Sequence, residues 1–496
     1  MLIGRRFLAI ITILSAEVMH GSGIKAGGDN TVFWNDKSIH AYSQPSPVLT
    51  PEQFERHLSG DAFFERPFSN SESAILKGLG PVYNATTCIT CHARDGRGVL
   101  PVSSQGQDQW VRLNQNSGLF LRISIEDKIK DDDQKIMSVQ GPKPVPGYST
   151  QLFHAGLYGV RPTHPGLGQA EVQMKFVFSE VEYPDKTKVR LRKPIFRILN
   201  PYDQSIGADG KPYSRLWQED VKISPRLGPP VFGLGLLEAI KESDILQLAK
   251  KDLSAEGVSG RPNYVHDVQK QMSNITPKVS LGRFGLKANT PSVFQQSLGA
   301  LNGDMGVTNY AFPFESIVDT PLFDAFRPFY KLSAAVELRK EWADDLVFYT
   351  QTLAVPQRRN MDDPEALAGE RLFHTVGCAS CHQPSFVTGQ HLQIPSFSNQ
   401  LIFPYTDLLL HDMGEGLADG RRDYGASGSE WKTRALWGLG HTKTVNPRAT
   451  FLHDGRAETV EEAILWHGGE AEFSKRRFMS LVKSERQQVL HFLDSL

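Results

Sequence analysis

The sequence predicts a mainly α-helical chain of two units, the first carrying a long insertion that contains some β-strand. Three observations predict it. A Cys-x-x-Cys-His motif occurs twice, at Cys88-Ile-Thr-Cys91-His92 and at Cys378-Ala-Ser-Cys381-His382. Amphipathic helical segments flank the second motif on both sides. Between the motifs, "EVQMKFVFSEVEYPDKTKVRLRKPIFRIL" (171–199) alternates apolar and polar residues around a "PDKT" turn, as a hairpin does.

At 496 residues the chain is too long for one ordinary core, so two or three domains are expected. A formal charge of -1, with no long basic or acidic block, argues against a nucleic-acid partner and an acidic tail. The N-terminus is different. In "MLIGRRFLAIITILSA", Arg5 and Arg6 precede an apolar run from Phe7 to Leu14. These are the two regions of a secretory signal, and the run is short for a membrane span. Residues 1–28 are read as a signal peptide, cut between Ala16 and Gly28. No Ala-x-Ala site is present, so the alternative is an uncleaved anchor, the one route to a membrane. The expected location is the periplasm of a Gram-negative bacterium.

Four cysteines in an exported chain would suggest two disulfides. Their spacing points elsewhere, because Cys-x-x-Cys-His is the attachment signature of c-type haem. Two thiols must reach two vinyl groups on one edge of the porphyrin, and the next histidine must reach the iron. A single helical turn can present all three. A redox dithiol or half a zinc site could use one Cys-x-x-Cys. A four-cysteine zinc site would join two pairs far apart in sequence, at 88–91 and 378–381, and leave His92 and His382 unexplained. Two covalent haems are expected, on Cys88, Cys91 and His92 and on Cys378, Cys381 and His382.

Each motif has a helical lead-in. Before the second runs "DPEALAGERLFHTVGCASCH", with Asp363 as N-cap and Pro364 at the first helical position. Before the first runs "SESAILKGLGPVYNATTCITCH", read as a helical start followed by an aromatic. These are two cytochrome c-like helical units. The second closes with "SERQQVLHFLDSL", where Val489, Leu490, Leu493 and Leu496 form a stripe, and spans 358–496. The first closes with "AAVELRKEWADDLVFYTQTLAVP" (334–356) and spans 45–357 with its insertion. Within the insertion, 227–240 reads as a Gly/Pro turn entering a helix and 256–265 as loop.

In "FLHDGRAETVEEAILWHGG", Thr459-Val-Glu-Glu462 opens a helix as a capping box and Gly468-Gly469 ends it. Val460, Ala463, Ile464 and His467 share one apolar stripe, so His467 points inward.

At this point the chain resembles the bacterial di-haem c-type oxidoreductase family, whose members carry the labels peroxidase and thiol oxidoreductase. "GLGPVYNATTCITCH", "LGRFGLKAN" (281–289), "PYTDLLLHDMGEGLADG" (404–420) and "FLHDGRAETVEEAILWHGGEA" (451–471) carry the resemblance, which covers most of residues 60–496. It extends to di-haem cytochrome c peroxidases and to the di-haem enzyme that matures methylamine dehydrogenase. The resemblance implies a relay haem with two axial ligands in the C-terminal unit and a second haem able to open a position to peroxide. In the peroxidases a methionine ligand follows an "HDG"-like segment by one helix; here that position is His467. A loop methionine, Met413, is the rival ligand. A His/His haem favours a lower potential than a His/Met haem, which suits holding oxidising equivalents.

Further expectations are weaker in motif. His453 with Arg456 is expected around the second haem. Met137, His154 and His164 lie within range of a distal loop at the first haem but read better as structural residues, with an open iron preferred there. Glu171 is a candidate acid/base group for peroxide. Trp437 and Trp466 are candidates for relay between haems, with packing the alternative reading of Trp466. Calcium, sometimes held between domains in the superfamily, is disfavoured because "KKDLSAEGVSGRPN" lacks a dense run of aspartates. The function read is electron transfer between two haems, with peroxide reduction at the first and a small cytochrome or cupredoxin as donor. The alternatives are a non-enzymatic periplasmic electron carrier and a haem enzyme that oxidises another protein.

Overall fold

The computed structural model describes residues 25–34, 37–71, 73–126, 141–157, 170–201, 203, 205–318, 320, 323–324 and 336–496. Residues 1–24 of the signal segment, Met137 and His164 lie outside the described residues. Among the described residues, no helix is long and apolar enough to cross a membrane.

The chain is 32% helix and 21% strand, so the expectation of a mainly α fold is corrected to a mixed α/β one. The extra strand lies in the insertion. Leu119–Ile125 pairs with Val221–Leu227 on one side and Gln151–Leu152 on the other. Its alternating burial follows from "LFLRISI", a pattern as legible as the hairpin's but shorter. The expected hairpin forms as Glu171–Glu182 and Lys188–Asn200, in register from Glu182 opposite Lys188.

Two helix pairs frame the motifs. Pro51–Glu65 crosses Lys340–Thr352, and Pro364–Thr375 crosses Lys483–Ser495. Both crossings are close enough to exclude a side chain. A Cβ on Gly60 would lie 2.1 Å from the Asp345 carbonyl oxygen, and one on Gly369 would lie 1.9 Å from that of Gln488. The expected lead-in helix before the first motif is not there: residues 73–81 are irregular backbone with one isolated bridge, from Lys77 to Ser69. The helix sits earlier, where Thr50 and Gln53 form a capping box and Pro51 takes the first position. Ser71–Ala74 offers helical residues, but "GLGP" immediately after prevents propagation.

The largest apolar core joins Phe64, Leu346 and Tyr349 to Phe232, Leu298, Phe397 and Leu409, and so runs through both halves. A second core fills the strands around Leu121, Ile123, Val172 and Met174. A third surrounds Phe373, Phe478 and Phe492, and includes Tyr183 and Leu191. The hairpin is therefore rooted in the second core while its tip is buried in the third. Polar bonds fix the tip. Tyr183 Oη donates to Glu461 at 2.8 Å, Arg486 to Asp185 at 2.6 Å, and Arg192 pairs with Glu458 at 2.8 Å. Burying Leu191 alone is worth roughly 1.5–3 kcal/mol.

Candidate functional site

The helix Pro364–Thr375 starts as the sequence indicated, with the Asp363 side chain accepting from the Glu365 amide at 2.8 Å. Gly377 ends it at φ +93°, and Cys378–Ser380 forms a short 3-10 turn. His382 then points its Nδ1 at the Tyr405 carbonyl, 2.9 Å away. A carbonyl only accepts, so Nδ1 carries the proton and Nε2 keeps its lone pair.

His467 is fixed in the same way from the opposite element. Thr459 caps the helix Val460–Trp466 by accepting from the Glu462 amide at 3.1 Å. The Glu462 carboxylate accepts from the Glu458 amide at 2.8 Å and from the Thr459 hydroxyl at 3.3 Å rather than from the Thr459 amide. His467 is the C-cap, and its Nδ1 donates to the Ala463 carbonyl at 2.7 Å. Both rings wall one cavity of about 260 Å³, together with Cys378, Cys381 and Met413. Burial lowers the pKa of both. That of His382 falls to about 4, with the Tyr405 carbonyl opposing and His467 adding to the fall. Both are neutral imidazoles with a free Nε2, the form that binds a metal.

The paired glycines do more than stop the helix. Gly469 has φ +55°, and a Cβ there would meet the Asp412 carbonyl oxygen at 2.2 Å. The loop after His467 thus lies flat on the "HDMG" segment, which also puts Met413 on the cavity wall.

A charged network ties this loop down. Glu470 accepts from His411 Nδ1 at 2.7 Å, from the Ser259 amide and hydroxyl at 2.9 and 2.7 Å, and from the Gly260 and Asp412 amides at 3.2 and 3.1 Å. His411 Nε2 meets Asp407 at 2.8 Å, and its Nδ1 lies 3.6 Å from Cys381 Sγ. Burial opposes the charge on His411, but Asp407, Cys381 and Glu470 outweigh it and hold its pKa up to about 12. Burial likewise opposes the charge on Glu470, yet His411 and Ser259 bring its pKa down to about 2. His453 stacks on Trp431, with centroids 3.9 Å apart, and also walls the cavity. Arg456 is bound to Asp454 and lies over Trp466, 4.4 Å from its ring; neither Arg456 nor Trp466 lines the cavity.

The first motif is built differently. Thr87 precedes the single turn Cys88–Cys91, and "LGPP" (227–230) runs against it. A Cβ on Gly228 would sit 2.1 Å from the Cys91 carbonyl oxygen. The next residue, Pro229, supplies the carbonyl that accepts from His92 Nδ1 at 2.6 Å. Burial takes the His92 pKa to about 4, with that carbonyl opposing. The cavity here is similar in size, about 210 Å³. Of the described residues lining it, His92 is the only histidine and Met305 the only methionine. Asp304 lines it too, its carboxyl raised by burial against the opposing effect of Arg122 and Gln151.

The other expected residues fall elsewhere. His154 has both nitrogens engaged, with Asn84 at 2.9 Å and the Asn114 carbonyl at 3.0 Å. Glu171 heads a strand of the hairpin and lines neither cavity.

The two cavities share a wall. Phe232, Leu286, Lys432, Arg434, Ala435 and Trp437 line both, and Trp437 is a buried member of the largest core. The four cysteines are free thiols. Burial pushes Cys88 and Cys378 up to about 12, the reverse of the lowered pKa a redox dithiol needs.

Sequence reading missed Asp407, His411 and Glu470, although the Asp-x-x-x-His spacing in "PYTDLLLHDMGEG" was a usable signal. It also missed Lys432 and Arg434, two cations inside the largely apolar run "WKTRALW".

Two matching motifs, each beside its own cavity and joined through one wall, define a protein with two linked centres. The chain belongs to the family described as "Di-haem oxidoreductase, putative peroxidase", whose model matches residues 21–496. Haem is accordingly its cofactor and oxidoreduction its class. No curated protein and no solved structure matches the chain. The donor sets fit haem: each cavity offers two free thiols, an oriented neutral imidazole, apolar walls and cationic groups able to meet acidic substituents.

Proposed function

We propose that this chain is an exported enzyme that carries two covalent c-type haems and reduces peroxide with electrons passed between them. One haem is held by Cys88, Cys91 and His92 in a unit spanning 45–357. The other is held by Cys378, Cys381 and His382 in a unit spanning 358–496. When bound, each haem supplies an iron that exchanges single electrons and, where a position is open, takes peroxide.

The chain's own residues divide the work. His382 and His467 bring two neutral imidazoles to one cavity, where they would hold the iron of the second haem, which would then serve as an electron store. The first cavity has one histidine among its described lining residues, which leaves room for a small oxidant. Reducing peroxide to two waters takes two electrons and two protons. Asp304, a buried carboxyl on that wall, can take and return a proton, the role expected of Glu171. Trp437 lies between the cavities and shortens the electron path. The donor is a small periplasmic cytochrome or cupredoxin.

The wall common to the two cavities carries this reading. The test is an EPR-monitored redox titration of the purified holoprotein. A low-spin signal from the second centre and a high-spin one from the first, lost on adding peroxide, are expected. Only low-spin signals, persisting through partial reduction, would leave an electron carrier in place of the enzyme.

A further inference from the structure

Lys432 ends the strand Glu430–Lys432, which pairs with Leu410–Asp412. The residue is 6% exposed, and its side chain has no hydrogen-bonding or ionic partner among the described residues. Arg434, two residues on and half-buried, is likewise without one among the described residues. Both line the first cavity and the second.

Other buried cations here are satisfied. Lys287 meets Asp419 at 3.0 Å and the Arg421 and Ser427 carbonyls at 2.9 and 2.7 Å. Arg226 faces Asp423, Arg192 pairs with Glu458, and Arg97 donates to the Leu452 carbonyl. Lys432 and Arg434 instead repel one another. Burial, then Arg434, brings the Lys432 pKa down to about 7, with Asp407 opposing; burial brings that of Arg434 to about 10.

The acids on the cavity walls are already committed. Glu470 serves His411, Asp304 serves Gln151 and Arg122, and Asp423 serves Arg421 and Arg226. A buried cation without a counter-charge is costly, so its partner must come with the occupant of the cavity. Haem carries two propionate carboxylates.

We propose that Lys432 and Arg434 form one anion-binding bridge that holds a propionate from each haem, so that a single pair of cations serves both centres. This rests on the two-haem reading above. The bridge is a positioning device with an electrostatic consequence. A cation shared at both propionate edges stabilises the ferrous state of both irons together.

The test compares holoprotein carrying Lys432→Met or Lys432→Arg with the wild type. Haem content is measured first, and both midpoint potentials then by spectroelectrochemical titration. In Lys432→Met both potentials should fall, each by at least a tenfold change in the ferrous-to-ferric ratio, which is 59 mV for one electron. Lys432→Arg should stay near wild type. If Lys432→Met fails to load haem while Lys432→Arg loads it, the need for the cation stands. A shift at one haem only, at neither, or equally in Lys432→Arg overturns the bridge. A Lys432→Met shift reproduced in wild type by changing the chloride concentration overturns the propionate assignment in favour of a free anion. A wild type without two haems sinks the two-haem reading instead.

Discussion

Glu470→Gln probes the network that holds the His467 loop. Five donors converge on two carboxylate oxygens. Oε2 takes His411 Nδ1 and the amides of Ser259 and Gly260, while Oε1 takes the Ser259 hydroxyl and the Asp412 amide. Glutamine keeps one acceptor oxygen and turns the other position into a donor. Whichever way it sits, at least one backbone amide faces an NH2 group: that of Asp412, or those of Ser259 and Gly260. An orphaned donor costs about 1–3 kcal/mol, and reducing the charge-assisted bond to His411 to a neutral one costs about 1 more. The Glu470 side chain is only 12% exposed, but Ser259 and Asp412 are exposed, so water meets part of the loss. The expected destabilisation is at the lower end, about 1–2 kcal/mol, read from urea unfolding followed by circular dichroism. High-spin character should grow at the second haem as His467 loosens. Glu472→Gln is the control, since its pairs with Lys475 and Arg476 are surface ones worth about 0–1 kcal/mol. Should Glu470→Gln match that control in both stability and spin state, the network does not hold the loop.

The remaining predictions follow from other contacts. His467→Ala should turn one low-spin haem high-spin with both haems still attached, while Met413→Ala leaves the spectrum unchanged; the reverse result moves the ligand to Met413. Gly369→Ala places a Cβ 1.9 Å from a carbonyl oxygen. Overpacking there costs toward the upper end of ~1–3 kcal/mol, more than the ~1 kcal/mol gained in helix propensity, so the melting temperature should fall. The pKa of His411 is raised from 6.5 to about 12. Its charge therefore stabilises the fold fully below pH 6.5 and progressively less as pH rises toward 12. The stability gap between wild type and His411→Gln should narrow over that window, and a gap independent of pH would refute the ion-pair account.

Much of the second centre was legible because its signals are local. Asp363-Pro364, Thr459-x-x-Glu462 and the stripe ending at His467 each act within one or two turns of helix. The hairpin at 171–200 was legible for the same reason, since a period of two over a dozen residues has few other readings. What stayed hidden depends on contacts remote in sequence. Nothing near Pro229 or Tyr405 marks their carbonyls as the partners of His92 and His382. Glu470 looks like a solvated helix-end acid until Ser259 and His411 are brought to it. The fold class was misjudged because strands such as Leu119–Ile125 are short, and short apolar runs do not declare their partners. The helix before the first motif was sought in the wrong place because "GLGP" separates the motif from its true partner, Pro51–Glu65.

The hairpin's two anchorages also matter for how the chain is made. Residues 171–200 leave the ribosome long before residues 455–496, which cover the tip. Until then Val181, Val189, Leu191 and Tyr183 have no burial site, on a two-stranded ribbon with open edges. Such a ribbon invites pairing with a second nascent chain. The second half must therefore arrive promptly, and any delay there lengthens the interval in which the first half is exposed to aggregation.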